Sequence, residues 1–290
     1  MTTPAAETAI DTRPEWLKVR LADWKTYKQT EAIVQKHGLN SVCFSAHCPN
    51  IAECWGQRGT ATLMLLGNVC TRSCGFCAVL TGKPPSYDPH EPERVAAAVA
   101  EMGLSFAVLT AVARDDLPDG GAKVFADSVR AIRRTSPGVG VEVLVPDFKG
   151  DTACIDTVLD AKPDVFNHNI ETVRRLQKRV RPSANYERSM SVLARAAERK
   201  IPAKSGLMLG LGENFDEVQE TIRDLRATGV SVLTVGQYLR PSDDYLPMAR
   251  YAPPAEFDAH REFALGLGFR HVESAPLVRS SYHADEAQIR

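Results

Sequence analysis

From residue 62 onward the chain alternates between two hydrophobic patterns. Short β-prone runs fall at 62–67, 106–110, 141–145, 164–168, 203–209 and 231–236, with a further candidate at 271–274. Amphipathic stretches separate them, at 92–102, 122–134, 152–161, 186–200, 215–227 and 254–267. In the last of these, Phe257, Phe263, Ala264 and Leu267 recur at helical spacing. Strands that are apolar on both faces and alternate with helices predict a parallel sheet covered by helices. Six or so such units suit a barrel, complete or partial, better than a doubly wound sheet, and no G-x-G-x-x-G follows the first strand. The predicted fold class is α/β, a partial (β/α)6 TIM-like barrel over 59–274. An extension, 1–58, precedes it with a helix at 24–35, and a tail, 275–290, follows it.

In parallel β/α barrels the chemistry gathers on loops that leave the C-terminal ends of the strands. Three such loops carry glycine or polar groups: Thr110 through Gly120 and Gly121, then Asn169 and Glu171 after the fourth strand, then the run from Gly206 to Glu213. Each offers backbone or side chains against which a small polar ligand can lie. His168 alternates with apolar neighbours and reads as structural.

Composition narrows the class. A net charge of −1 with scattered basic residues gives no nucleic-acid footprint. No apolar run reaches membrane-span length, and residues 1–12 lack the pattern of a secretory signal. Seven cysteines without such a signal indicate metal or redox thiols in a reducing compartment, and the expected location is the cytoplasm. Cys154 shares a short helical face with Ile155, Val158 and Leu159 and reads as a small core residue. The basic run Arg174, Arg175, Lys178, Arg179 and Arg181 reads as a solvated face able to attract an acidic partner domain.

The other six cysteines form two triplets: Cys43, Cys48 and Cys54 as C-x4-C-x5-C, and Cys70, Cys74 and Cys77 as C-x3-C-x2-C. Thiolates select iron–sulfur clusters, zinc or cuprous copper. Zinc sites pair cysteines with a second, distant pair, which this chain lacks. A [4Fe-4S] cube normally takes four cysteines, so a loop of three leaves one iron open to a small molecule. Such an iron can bind S-adenosylmethionine (SAM) through nitrogen and oxygen and pass it an electron. The C-x3-C-x2-C loop, with Phe76 before its last cysteine, resembles the signature of the radical SAM superfamily.

The resemblance becomes specific over nearly the whole chain. Ser41-Val42-Cys43, Cys48-Pro49-Asn50, Ala52-Glu53-Cys54, Cys70-Thr71-Arg72-Ser73-Cys74, Arg114-Asp115-Asp116-Leu117, Val145-Pro146-Asp147-Phe148, Phe166-Asn167-His168-Asn169, Lys204-Ser205-Gly206-Leu207-Met208, Gly236-Gln237-Tyr238-Leu239 and Val278-Arg279-Ser280-Ser281-Tyr282 occur in order. Together they resemble the lipoyl synthase family. The resemblance implies two [4Fe-4S] clusters and SAM. It implies sulfur insertion at C6 and C8 of an octanoyl group on the lysine of a lipoyl carrier domain, either the E2 of a 2-oxoacid dehydrogenase or the glycine cleavage H protein. The second triplet would hold the cluster that cleaves SAM. The first, with Ser281 as fourth ligand, would hold an auxiliary cluster that donates sulfide. An electron donor such as flavodoxin or ferredoxin is implied, and neither nucleic acid nor membrane.

The resemblance also places Gly120 and Gly121 near the SAM methionyl group and Asn169 and Glu171 near its ribose, the plain alternatives being the start of the next helix and a helix cap with Glu171 in its first turn. Family members often read Thr-Ser-Val-Asp-Arg-Asp-Asp after the second strand, whereas here Ala111 and Ala113 replace the serine and the first aspartate. Ser280 and His47 are the alternative fourth ligands. Two rival functions remain open at this point: another two-cluster radical SAM enzyme, and a non-enzymatic iron–sulfur or zinc protein.

Overall fold

The computed structural model describes residues 13–18, 24–45, 48, 50–55 and 60–286. His47, weighed above as an iron ligand, lies outside the described residues. Among those described, no helix is long and apolar enough to cross a membrane.

Among the described residues the strands are β1 (Asn40–Ser41), β2 (Thr60–Leu65), β3 (Val69–Cys70), β4 (Leu80–Thr81), β5 (Phe106–Ala111), β6 (Gly140–Leu144), β7 (Val165–Asn167), β8 (Ala203–Leu209), β9 (Val232–Gln237) and β10 (His271–Ser274). The helices are α1 (Trp24–Lys36), α2 (Val42–Ser45), α3 (Ile51–Glu53), α4 (Glu91–Met102), α5 (Ala122–Thr135), α6 (Thr152–Leu159), α7 (Gln177–Val180), α8 (Tyr186–Glu198), α9 (Phe215–Ala227) and α10 (Pro254–Gly266).

Eight strands form one sheet in the order β1-β2-β5-β6-β7-β8-β9-β10. All neighbours are parallel except β1, which runs antiparallel to β2. From β2 on, the order never reverses, so the sheet is wound in one direction, as in a barrel, without the switch point of a doubly wound sheet. It stays open, with β1 and β10 as its edges. Six βα units run from β2–α4 to β9–α10, and β10 adds a seventh parallel strand. The extension is not detached from the sheet, since β1 is part of it.

Local chemistry fixes the helix ends. Asn214 and Glu217 form a reciprocal capping box at the start of α9, and Asp151 caps α6 by accepting from the N–H groups of Ala153 and Cys154. Gly103, at φ 64°, ends α4 in a left-handed conformation that costs glycine nothing. Cys154 is buried among the apolar residues of α6, as expected.

β6, β7 and β8 carry a buried polar trio within the core. Lys204 Nζ donates to Glu142 Oε2 at 2.8 Å, and Asn167 Nδ2 donates to Glu142 Oε1 at 2.8 Å. A charge buried this deeply is tolerated only when paired and hydrogen-bonded.

Candidate active site

The loop from 71 to 79 is held more tightly than its sequence implies. β3 and β4 pair in parallel at its two ends, and Gly82 N donates to Cys70 O at 3.0 Å. Thr71 N and its hydroxyl both donate to Ala113 O, at 3.0 and 2.9 Å. Inside the loop, Arg72 grips two neighbouring loops at once. Its Nε and Nη2 donate to the two oxygens of Asp115 at 2.7 and 2.8 Å, and Nη2 also lies 2.7 Å from Asp147 Oδ1. Asp147 is held in turn by Arg188 Nε on α8, at 2.7 Å. Arg114 forms its own fork with Asp116, at 2.9 and 2.8 Å. Neither the grip of Arg72 nor the partners of Asp115 and Asp147 were legible, because they join three separate loops.

The tail 275–286 folds back over the C-terminal ends of the strands. Gln237 N donates to Pro276 O at 3.2 Å, and the Val278 carbonyl rests directly on Gly236, where a side chain would overlap it. Asn50 Nδ2, two residues from Cys48, donates to Leu277 O at 2.6 Å, and Tyr282 donates to Glu53 at 3.1 Å. His283 lies 3.6 Å from Glu273 on β10. The tail is thereby fastened to the segment that carries the first triplet.

One cavity of about 630 Å³ opens where these parts meet. Its lining includes Cys43 and Cys48 of the first triplet, Cys70, Cys74 and Cys77 of the second, and Ser280 and Ser281 of the tail. Thr110, Asn169 and Glu171 line it as well. Cys54 lies behind the wall, close enough to Cys43 and Cys48 for their charges to act on it. Gly120 and Gly121 are outside the lining. Gly120, at φ 58°, sits against Phe148, and Gly121, at φ 88°, sits against Leu66 and starts α5. Both need the left-handed conformation for the turn itself.

All seven cysteines are free thiols. Burial pushes Cys48 up to about 11, with the charge of Cys43 adding to it. Burial pushes Cys54 up to about 12, helped by Cys48 and Cys43. Cys74 rises to about 11 through burial, against the opposing charge of Arg181. Burial also raises Cys43 and Cys77. Within each triplet the thiols disfavour one another as thiolates, a strain that a bound cation relieves.

The spacing of the sulfur atoms also bears on the metal. No three of these thiols bring their sulfur atoms within 4.8 Å of one another. Zinc–sulfur bonds of ≈ 2.3 Å place tetrahedral ligands about 3.8 Å apart. The thiols as they stand do not preform a single-zinc site.

The polar wall opposite the second triplet is unsatisfied. Asn169 Oδ1 is buried without a hydrogen-bond partner among the described residues. Beside it, a side chain at Gly206 would meet Thr234 Oγ1 at 2.5 Å and Asn169 Oδ1 at 2.9 Å, so the glycine keeps this wall open. No helix begins at Asn169 or Glu171. Instead Glu171, at φ 65°, pairs its main chain with β8, accepting from Met208 N and donating to Gly206 O, both at 2.9 Å. Burial raises its carboxyl above the usual range. A buried polar orphan beside an emptied glycine position fits a polar ligand such as SAM.

His168 is fully buried between Val145 O and Ser189 Oγ, at 2.8 and 3.0 Å, and burial pushes it down to about 4. It faces the cavity as a neutral ring. The basic run is largely spent on internal partners: Arg174 pairs with Glu187 and Asp224, Arg175 with Glu217, and Arg181 reaches Asn169 O at 2.9 Å. Lys178 and Arg179 stay exposed.

Comparison with known proteins places this geometry. The family model of the radical SAM superfamily matches residues 64–225. The lipoyl synthase of Rubrobacter xylanophilus is 59% identical over 276 residues, 94% of this chain and 86% of that one. That of Symbiobacterium thermophilum is 53% identical over 283 residues, 97% and 88% of the two chains. Among solved structures, SuiB of Streptococcus suis superposes with a TM-score of 0.59 at 10% identity, over 90% of this chain and 55% of that one. The [FeFe]-hydrogenase maturase HydG superposes at 0.54 and 15% identity, over 91% and 72%. At these identities the two structures speak for the fold alone.

Proposed function

The chain belongs to the lipoyl synthase family of radical SAM enzymes, enzymes that insert sulfur, and from that premise we propose how its residues divide the work. The target is an octanoyl group on the lysine of a lipoyl carrier domain, an E2 or glycine cleavage H protein, sulfurated at C6 and C8. The observation that carries this reading is the convergence of Cys43 and Cys48 of the first triplet, all three cysteines of the second, and Arg279, Ser280 and Ser281 of the tail on one cavity.

Cys70, Cys74 and Cys77 would hold a [4Fe-4S] cluster, with SAM against Asn169, Glu171 and Thr110; Gly120 and Gly121, outside the lining, shape the turn into α5. Cys43, Cys48, Cys54 and Ser281 hold a second cluster. When bound, these groups supply one-electron cleavage of SAM to an alkyl radical and a source of sulfide, which no side chain can supply.

The protein's own part is position and exclusion of water. Alkyl C–H bonds have no acidity for a base to exploit, so the carbon to be sulfurated must be held against the reacting groups. Val42, Met64, Val112, Leu144, Leu207 and Met208 give the cavity an apolar wall that suits a linear alkyl chain. Arg72 fixes the loop of the second triplet, and the Asn50 and Gly236 contacts fix the tail beside the first. His168, neutral and hydrogen-bonded on both nitrogens, moves no proton.

The three segments, 1–58, 59–274 and 275–290, act as an auxiliary-cluster arm, a radical SAM barrel and a closing tail. Exposed Lys178 and Arg179 offer a basic edge to an acidic carrier domain. A small electron carrier such as flavodoxin or ferredoxin supplies the electron. Seven free thiols suit the cytoplasm.

The test is anaerobic reconstitution followed by assays of 5′-deoxyadenosine and of sulfur in an octanoyl-lysine peptide. Cys74→Ala should make no 5′-deoxyadenosine. Cys48→Ala should make it and insert no sulfur. Equal SAM cleavage by both variants would overturn the assignment, and none by the unaltered protein would favour an iron–sulfur carrier.

A further inference from the structure

Gly75 lies between Cys74 and Cys77, in a turn closed by Cys77 N donating to Cys74 O at 3.1 Å. Its main chain is held from two sides. The N–H donates to Val180 O at the end of α7, at 2.9 Å, and the carbonyl accepts from Leu246 N at 2.8 Å. Leu246 also lays its side chain against the glycine. A Cβ at Gly75 would stand 2.7 Å from both Cγ and Cδ1 of Leu246. Carbon atoms rest about 3.5–4.0 Å apart, so no side chain fits while Leu246 keeps its seat. The backbone itself does not call for glycine, since Gly75 lies outside the left-handed region. The leucine, and not the turn, excludes a side chain here.

Leu246 belongs to residues 238–253, which run from β9 to α10 without a helix or strand. Connections longer than about 12–15 residues are uncommon and usually have a task. This one is a strap fastened along its length. Tyr238, Leu239, Arg240 and Pro241 line the cavity where it begins. Towards its far end Ala249 N donates to Gly210 O at 2.8 Å, and Gln237 Nε2 donates to Arg250 O at 3.0 Å. In the middle, the hydroxyl of buried Tyr238 donates to Leu246 O at 2.8 Å, and Arg240 Nε donates to Tyr245 O at 3.0 Å. Leu246 thus has its N–H on Gly75, its carbonyl on Tyr238 and its side chain against the cysteine loop.

We infer that Leu246 is a positioning residue for the metal site of the second triplet: by clamping Gly75 it fixes the main chain between Cys74 and Cys77, and with it the placing of their sulfur atoms. The inference rests on the proposed two-cluster reading and adds to it a residue of the strap that is not itself a ligand. Ligands locked by their supports bind metal more tightly than ligands that must first be ordered. Losing such a support costs roughly 10–100-fold in affinity.

The experiment uses the full chain carrying Cys48→Ala, so that only the second triplet is complete. After anaerobic reconstitution, the rate of iron loss to a ferrous chelator is measured with Gly75→Ala, with Leu246→Ala and with both. Gly75→Ala should lose iron roughly 10–100-fold faster, because its methyl group unseats Leu246. Leu246→Ala should also lose iron faster. Once Leu246→Ala is in place, Gly75→Ala should have no further effect, because its methyl group then has room. Leu246→Met refills the space and should return the rate to that of the parent chain. In a Cys74→Ala chain, where only the first triplet is complete, Leu246→Ala should leave iron loss unchanged. Effects of Gly75→Ala and Leu246→Ala that simply multiply would overturn the inference and leave the two-cluster reading standing. So would a Leu246→Ala rate equal to the parent's, or equal acceleration at both triplets. No iron in the Cys48→Ala parent would bring down that reading and the inference with it. Should Gly75→Ala fail to fold, Leu246→Ala against Leu246→Met decides the matter, and equal rates in the two would overturn the inference.

Discussion

Arg72 Nη2 lies 2.7 Å from Asp147 Oδ1, and this contact ties the loop of the second cysteine triplet to the loop that follows β6. The two side chains are 7% and 0% exposed. Removing one partner of a buried pair strands the other, at a cost of about 3–5 kcal/mol. Asp147→Ala should lose stability at the lower end of that range, since Asp115 still holds Arg72, and Arg188 loses its carboxylate but keeps Ser183 O. Iron binding at the second triplet should weaken by roughly 10–100-fold, as for other supports of metal ligands. Urea unfolding and iron titration in a Cys48→Ala background measure the two effects. Unchanged iron affinity would reduce Arg72 to a surface-loop clamp with no bearing on the cluster.

The same pair predicts acid sensitivity. Burial alone would raise the Asp147 carboxyl, but the hydrogen bond and charge of Arg72 outweigh it and hold it down to about 2, against an ordinary 3.8. A depressed carboxyl stabilises the fold wherever it is ionised in both states. Its contribution, roughly 2–3 kcal/mol, is complete above about pH 4 and is lost as pH falls toward about 2. Asp147→Asn should remove this part of the pH dependence. Identical slopes of stability against pH, measured for both proteins over that window, would contradict it.

Gly236 makes the tail's position dependent on a missing side chain. Any Cβ there overlaps the Val278 carbonyl, which is backbone and cannot rotate away. Gly236→Ala must shift either β9 or the tail, at about 1–3 kcal/mol of overpacking. The tail is the softer element, so Ser280 and Ser281 should move away from the first triplet. Iron loading at that triplet should fall while SAM cleavage at the second persists. Equal loss at both sites would indicate general misfolding.

The alternation of apolar runs and amphipathic helices made the sheet legible. 203–209, 215–227 and 271–274 matched residue for residue; Asn214 and Glu217 mark the start of the helix. β1, β3 and β4 have two residues each, too few for any periodicity to register. The six cysteines of the two triplets, Thr110, Asn169, Glu171 and Ser281 were picked out from sequence, and the structure gathers all of them but Cys54 on the lining of one cavity. Gly120 and Gly121 were read as ligand-facing, whereas their positions under Phe148 and Leu66 are set by packing that sequence does not display. The basic run at 174–181 looked solvated because its partners, Glu187, Glu217 and Asp224, lie on helices α8 and α9.

The choice between Ser280 and Ser281 can be decided by substitution. Both line the cavity with Cys43 and Cys48. The first triplet is one ligand short of four, and the proposed fourth ligand is a serine of the tail. Serine oxygen binds iron less firmly than cysteine sulfur, which suits a cluster that gives up sulfide. Ser281→Ala should abolish sulfur insertion and leave 5′-deoxyadenosine formation in place, because the second triplet is intact. Ser281→Cys should restore iron binding at the first triplet but slow sulfur release, since a thiolate holds iron more tightly. Ser280→Ala should behave like the unaltered protein in both assays. The reverse pattern, with Ser280→Ala inactive and Ser281→Ala unaffected, would assign the ligand to Ser280, and two active variants would remove the tail from the coordination sphere.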